Sequence, residues 1–168
     1  MQLPLRPVTF VVVYVLLTAL SVEPTVMGWP WSWYYASAGL TAVMAWHCLW
    51  AAQLAQTAAT PRRSDLVRTL AFAAPGVFAV AVLLNMNRDL YAPASMAAGV
   101  GQALTVVVAG SVGAFFVLLW LSARRFCATE REKGGGSLGV FLTFVLALYV
   151  VIGAPVLYFR IKRLKGMG

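Results

Sequence analysis

The chain has 168 residues, of which 61% are hydrophobic and 11% are charged. A soluble domain carries about 25% charged residues and could not bury so much apolar side chain at this length, so an ordinary water-soluble fold is excluded. The net charge of +8 does not indicate nucleic-acid binding, because the basic residues cluster beside apolar segments, as they do where membrane proteins meet anionic headgroups.

We predict an all-α, polytopic transmembrane helical bundle that forms a single integral-membrane domain over residues 1–168. A spanning helix needs about 20 apolar residues, and backbone groups in lipid must bond to one another. Five segments meet this description and form two hairpins followed by a C-terminal helix. They are predicted near 7–22, 33–57, 69–86, 97–123 and 138–159.

The first segment, 7–22, ends at Glu23 and Pro24. Its apolar core and the small residues Ala19 and Ser21 are also typical of a secretory signal peptide. We interpret the segment as a membrane anchor that is retained in the protein.

Aromatic residues crowd the start of the second segment, in the run GWPWSWYY. Indole and phenol rings prefer the headgroup level, so we predict an interfacial belt, with a substrate or quinone platform as the alternative. In composition the run resembles the tryptophan-rich sequences of the translocator protein family, which also has five spans; the ordered motif of that family is not present. The predicted anchors are Trp29, Trp31, Trp33 and Tyr34.

The second segment contains the only histidine of the chain and one of its two cysteines, in the run WHCLW. At about 100° per residue, His47 and Cys48 point in different directions and do not readily share a metal, so no metal site is predicted. Cys48 instead continues a stripe of small residues that we predict to be a helix-packing seam. This seam consists of Thr41, Ala45, Cys48 and Ala52.

His47 is the candidate cofactor-binding residue. A neutral imidazole needs only one or two hydrogen bonds, which favours a structural role and no cofactor. A haem or a chlorophyll-type pigment could take it as a single axial ligand, although no second histidine exists for a bis-histidine haem. A histidine at membrane depth could also move protons or contact a substrate.

The turn after the third segment is the densest polar stretch outside the basic loops, from Asn85 to Pro93. Asn and Asp side chains satisfy backbone groups in tight turns, so we predict a solvated hairpin turn. The alternative is the entrance of a polar pathway in which Asp89 titrates and His47 lies deeper. Within the third segment, Pro75 and Gly76 predict a kink.

The fourth segment carries a second stripe of small residues, made of Gly99, Ala103, Gly110 and Gly113. Small residues at helical spacing let two membrane helices approach closely. We therefore predict a packing face, whose mate is either another helix of this chain or a different subunit. The alternative is a helix that lines a narrow pore.

The basic flanks are predicted to contact lipid headgroups or a partner. They are Arg62, Arg63, Arg124, Arg125, Arg160, Lys162, Arg163 and Lys165. With five spans, eight lysines and arginines lie on the side of the N-terminus and five on the other side. The positive-inside rule then places the N-terminus on the cytoplasmic or matrix side of a bacterial cytoplasmic membrane or an organelle inner membrane.

The basic tail conflicts with this orientation, because five spans place it on the opposite side. Either one segment does not span, with the first and third as the weakest, or a partner holds the tail.

The predicted function follows from what the apolar interior lacks. The segments hold no paired carboxylates, no Ser-His-Asp set and no HExxH motif, so we predict that the protein is not an enzyme. We predict a non-catalytic accessory subunit of a larger membrane complex, of the respiratory or photosynthetic class, that packs against other membrane subunits and anionic phospholipids. The alternatives are a small transporter or channel that uses His47 and the Asn85–Asp89 turn, and a haem- or pigment-binding membrane protein.

Overall fold

A computed structural model of the chain describes residues 7–26, 28, 32–56, 64–133 and 138–166. In these ranges the chain is all-helical, as predicted. Its elements are α1 (Pro7–Val26), α2 (Ser32–Gln56), α3 (Ser64–Met86), α4 (Arg88–Tyr91), α5 (Ala94–Glu132), α6 (Val140–Leu148) and α7 (Val150–Gly166). α4 is one turn of helix between α3 and α5.

Two helices of the described ranges are long and apolar enough to cross a membrane. They are Leu66–Met86 within α3 and Ala94–Glu132, the whole of α5. At 1.5 Å per residue, the first is about 31 Å long, which matches the hydrocarbon thickness of a bilayer. The second is about 58 Å long and therefore exceeds it. A shorter apolar helix, Val8–Leu20, lies in α1, so five spans are not confirmed.

The helix ends differ from the predicted segments mainly where polar residues continue a helix. The second segment is predicted as 33–57; α2 is described from Ser32 to Gln56, and Thr57 lies outside the described residues. The fourth segment is predicted as 97–123, but α5 begins at Ala94 and continues to Glu132. Hydropathy marks the part of a helix that suits lipid, whereas Arg, Lys and Glu are themselves good helix formers. Pro75 is accommodated inside α3.

The fifth segment is not the single helix that we predicted over 138–159. The backbone breaks at Tyr149, where φ is −89° and ψ is 74°, and α7 then runs back along α6. Arg160 Nη1 donates a hydrogen bond to Thr143 Oγ1 at 3.0 Å. In one continuous helix these two residues would be about 25 Å apart, so α6 and α7 form a third hairpin.

Gly153 permits this close return of the chain. A Cβ atom placed on Gly153 would collide with the backbone of Leu146. The two helices of the hairpin therefore touch through bare backbone near the bend, which any larger residue would prevent.

The two ends of the bundle differ in charge. We call the end that contains Asn87 the turn end and the end that contains Glu130 the basic end. At the turn end, Tyr34 Oη donates to Asn87 Oδ1 at 2.7 Å and joins α2 to the α3–α4 connection. At the basic end, Lys133 Nζ donates to the backbone carbonyl of Leu164 at 3.3 Å, so the C-terminal tail returns to the end of α5.

The hydrophobic core lies between α2 and the helices around it. α2 supplies the largest share of the buried hydrophobic side chains among the described residues, because it contacts α1, α3 and α5. The predicted seam residues Cys48 and Ala52 are buried, and Thr41 and Ala45 are half-buried. The core thus brings His47 to the centre of the bundle, where it is 4% exposed.

Candidate functional site

His47 is held against the bend of the α6–α7 hairpin. Its Nε2 atom lies 2.7 Å from the backbone oxygen of Ala147. A carbonyl oxygen can only accept, so Nε2 donates and carries the proton. In the neutral ring Nδ1 is then unprotonated and can only accept.

The hydrogen bond from His47 to Ala147 provides a partner for a carbonyl group at the end of α6. Ala147 carries one of the last carbonyl groups of α6, and its regular helical donor, four residues further on, lies beyond the end of the helix at Leu148. A buried carbonyl without a partner costs about 1–3 kcal/mol. His47 therefore serves as a C-terminal cap of α6, supplied by a different helix 100 residues away in the chain.

Aromatic rings enclose the imidazole on three sides. The ring centroids of Phe115, Tyr14 and Trp50 lie 5.1, 5.9 and 6.3 Å from that of His47, each in an edge-on arrangement. Edge-on contacts of this kind fix the orientation of a ring. Among the described residues, none forms a hydrogen bond with Nδ1.

A cavity of about 240 Å³ adjoins His47. It lies between α2 and α5, and almost all of its lining is apolar. The lining side chains are Tyr14, Leu40, Val43, Met44, His47, Phe78, Val112, Phe115, Phe116 and Leu148. An imidazole at the wall of an apolar cavity is a place where a ligand can be both enclosed and oriented.

The other residues of the WHCLW run make packing contacts elsewhere in the bundle. Cys48 is fully buried and packs in the core, away from the cavity. Trp46 Nε1 donates to the backbone carbonyl of Phe10 at 3.2 Å, and the Phe10 ring stacks on both Trp46 and Trp50 with centroids 5.3 Å away. The two tryptophans thus attach α1 to α2.

The stripe of small residues on α5 faces outward. A Cβ atom added to Gly99, Gly110 or Gly113 would meet no other atom within 4 Å, and Ala103 is exposed. No other helix of the described chain packs on this stripe. The helices that contact α5 approach its opposite side, where Leu118, Leu119 and Phe126 are buried.

The turn end holds a second, polar groove of about 580 Å³. It is lined by Asn85, Arg88, Ala98, Gly101, Gln102, Thr105 and Val106. Arg88 and Asp89 form an exposed ion pair of 3.5 Å. The groove shares no lining residue with the cavity at His47, so the structure does not join these two predicted parts of a polar pathway.

Two of the predicted interfacial anchors, Trp33 and Tyr34, are described, and they lie near the turn end. Trp33 is 70% exposed. Tyr34 is half-buried, and its hydroxyl donates the hydrogen bond to Asn87 described above. Trp29 and Trp31 lie outside the described residues.

A buried polar cluster at the basic end was not anticipated from the sequence. The Arg160 guanidinium pairs with the Glu130 carboxylate through Nε at 2.8 Å and through Nη2, and it also donates to Thr143 Oγ1. Cys127 Sγ lies 3.1 Å from the same hydroxyl. Arg160 also stacks over the Phe126 ring, 5.0 Å from its centroid. These contacts fasten α7 and α6 to the end of α5.

Four of the other predicted cations are described, and they lie at this end of the molecule. Arg124, Lys162 and Arg163 are exposed, and Arg125 is half-buried with one terminal nitrogen lacking a partner. Arg62 and Arg63 lie outside the described residues, as does the side chain of Lys165.

No group of three or more His, Cys, Asp or Glu residues with the spacing of a metal site occurs in the described part of the chain. Comparisons with protein-family models, with curated proteins and with solved structures gave no match to this chain.

Proposed function

We propose that the protein is an integral membrane protein in which α1, α2, α3 and α5 cross the bilayer. The α6–α7 hairpin enters from the basic end and returns to it. α6 has nine residues and reaches only about 14 Å, less than half of the hydrocarbon thickness. A segment of non-helical backbone at this depth is tolerated where protein surrounds it, and His47 supplies such cover to the bend.

The distribution of charge supports this topology. The four cations of the tail join the eight already counted on the N-terminal side, so that twelve of the thirteen lysines and arginines lie together. Arg88 alone is on the other side. The positive-inside rule then places the basic end in the cytoplasm or the matrix, without the conflict that five spans create.

Cysteine labelling from each side of the membrane tests the topology. Leu138→Cys, Gly166→Cys and Asp89→Cys should be made singly and labelled with an impermeant maleimide in sealed vesicles. The native Cys48 and Cys127 are buried, which keeps the background low. We expect positions 138 and 166 to be labelled from the same side and position 89 from the other. Labelling of 166 together with 89 would restore the five-span arrangement.

For its function, we propose a non-catalytic subunit of a larger membrane complex. The observation that supports this most strongly is the open stripe of small residues on α5. Only 17% of the most apolar window of Ala94–Glu132 is buried within the chain, compared with 33% for Leu66–Met86. Glycines on a membrane helix let the backbone of another helix approach closely, and this contact gains dispersion energy. Lipid chains pack less closely against such a surface. The occupant that fits is a transmembrane helix of another subunit.

Purification in mild detergent, with and without a blocked stripe, tests this proposal. We expect the native chain to elute with at least one other membrane protein. Gly110→Leu should release that partner, because the new side chain stands between the two helices. Gly76→Leu is the matched control: Gly76 also faces open space, but on α3. A native chain that elutes alone as a monodisperse monomer would contradict the proposal, as would equal retention by both variants.

The class of complex and the lipid contacts are part of the same proposal. We place the subunit in a respiratory or photosynthetic assembly, where small subunits without chemistry of their own are frequent. The exposed Arg124, Arg131, Lys162 and Arg163 suit anionic phospholipid headgroups, since each cation near such a surface contributes about 1 kcal/mol of attraction.

The two alternative functions have less support. A transporter or channel needs a polar route, but the cavity at His47 and the groove at Asn85 are separate. A haem or a chlorophyll needs far more room than 240 Å³, since a cavity of about 150 Å³ is filled by a single benzene ring.

A further inference from the structure

The cavity beside His47 has the volume of a small ring compound. A cavity of about 150 Å³ in a protein core accepts benzene. In proportion, the 240 Å³ beside His47 holds roughly ten non-hydrogen atoms. This corresponds to one substituted aromatic ring, and it excludes a macrocycle or a whole phospholipid.

The exposure of the lining residues shows how a ligand would enter. Leu40, Val112 and Phe116 are 52%, 37% and 41% exposed, whereas His47 and Phe78 at the inner wall are 4% and 5% exposed. The cavity therefore opens on the lateral surface between α2 and α5, and the imidazole lies at its inner wall. In the proposed topology this surface faces lipid, so the ligand must be soluble in the bilayer.

The polar chemistry of the inner wall selects one kind of ligand. Nε2 of His47 is engaged with Ala147, which leaves Nδ1 as an acceptor for an occupant. A ligand that donates a hydrogen bond is matched to Nδ1, whereas the hydroxyl of Tyr14, which also lines the cavity, can pair with a donor or an acceptor. The other walls carry the rings of Tyr14, Phe78, Phe115 and Phe116, which favour the faces and edges of another aromatic ring.

We propose that this cavity binds a hydroxylated aromatic ring, with its hydroxyl group donating to His47 Nδ1. A simple phenol and the headgroup of a lipid-linked hydroquinone share this chemistry. The proposal does not depend on the partner subunit, because every group that it uses belongs to this chain.

Binding of paired probes to the purified full-length protein tests the hydrogen bond. 4-Ethylphenol and 4-ethylanisole have nearly the same ring and alkyl group, but the methyl ether cannot donate. We expect saturable binding of 4-ethylphenol by calorimetry and at least tenfold weaker binding of 4-ethylanisole, as loss of one buried hydrogen bond implies. Equal affinities, or no saturable binding of the phenol, would overturn the proposal.

Filling the cavity tests its location. Val112→Phe places a ring at the mouth and should abolish 4-ethylphenol binding. Val12→Phe is the matched control, because Val12 is 49% exposed on α1 and does not line the cavity. Both positions are exposed, so both variants should keep the melting temperature of the native chain. Unchanged binding by Val112→Phe, in a variant that melts normally, would refute the site.

A competition experiment separates the two sources of the ligand. Trimethylhydroquinone carries a hydroquinone headgroup without its lipid tail. If it displaces 4-ethylphenol and binds more tightly, the site takes a hydroquinone; if it does not displace 4-ethylphenol, the site takes a monophenol. Either result keeps the hydroxylated ring as the ligand class.

Discussion

The cluster around Arg160 and the surroundings of His47 are two buried polar sites of the described structure, and they differ in how far their polar groups are paired. At the basic end, the Arg160 guanidinium has Glu130 and Thr143 as partners, and it lies on the Phe126 ring. At the centre, the described residues offer the imidazole one hydrogen-bond partner, the Ala147 carbonyl, and leave Nδ1 without one beside a cavity. A cluster whose groups satisfy one another stabilises the fold, whereas a group that is half satisfied beside open space can serve a ligand.

The largest expected loss of stability comes from removing one partner of the buried ion pair at the basic end. Glu130→Gln leaves the Arg160 charge buried without its counter-ion. The side chains of Arg160 and Glu130 are 12% and 5% exposed, and removal of one partner from a buried pair costs about 3–5 kcal/mol. We expect a lower melting temperature in detergent and easier proteolysis of the α6–α7 hairpin.

Two further variants make this measurement specific to the ion pair. Glu132→Gln changes an exposed acid two residues away and should melt like the native chain. Replacing both partners, as Glu130→Leu with Arg160→Met, should recover a large part of the loss, because no buried charge is then left unpaired. A Glu130→Gln protein as stable as the native chain would show that this cluster does not hold the hairpin.

A smaller loss of stability is expected when His47, at the centre of the molecule, is replaced. His47→Leu removes the cap of the Ala147 carbonyl and should cost about 1–3 kcal/mol, the penalty for one buried acceptor without a partner. His47→Gln should lose less, because its amide N–H can still donate to that carbonyl. Melting temperatures of the two variants in the same detergent give the comparison, and equal values would show that the hydrogen bond is not what stabilises the bend.

The helical class and most of the helix positions could be predicted from hydropathy and period. α2 is helical over the whole described part of the second segment, from Ser32 to Gln56. The phase that separates His47 from Cys48 is also seen in the structure, where Cys48 packs in the core and His47 lines the cavity. These features depend on residues that are close together in one helix, and helical spacing can be read directly from the sequence.

The bend of the fifth segment could not be predicted in the same way. The residues from Val140 to Phe159 include no charged side chain, so hydropathy does not distinguish one long helix from two short ones. Two pieces of information were in the sequence: a glycine at 153, and a basic tail that five spans leave on the wrong side. The contacts that decide between the alternatives are distant in sequence, namely Arg160 with Glu130 and His47 with Ala147.

The cavity could not be predicted from the sequence either. His47 was identified as the residue of interest, but its lining comes from α1, α2, α3, α5 and α6. Empty volume arises where the side chains of several helices fail to meet, and no single stretch of sequence records such a gap.

The hairpin formed by α6 and α7 has a consequence for how the protein is made. Because both of its ends lie at the basic end, its insertion moves no charged residue through the hydrocarbon of the bilayer. The earlier part of the chain carries across only Glu23, Arg88 and Asp89 in the proposed topology. We therefore expect the hairpin to enter the membrane after the four preceding helices have assembled, with the completed bundle as its template.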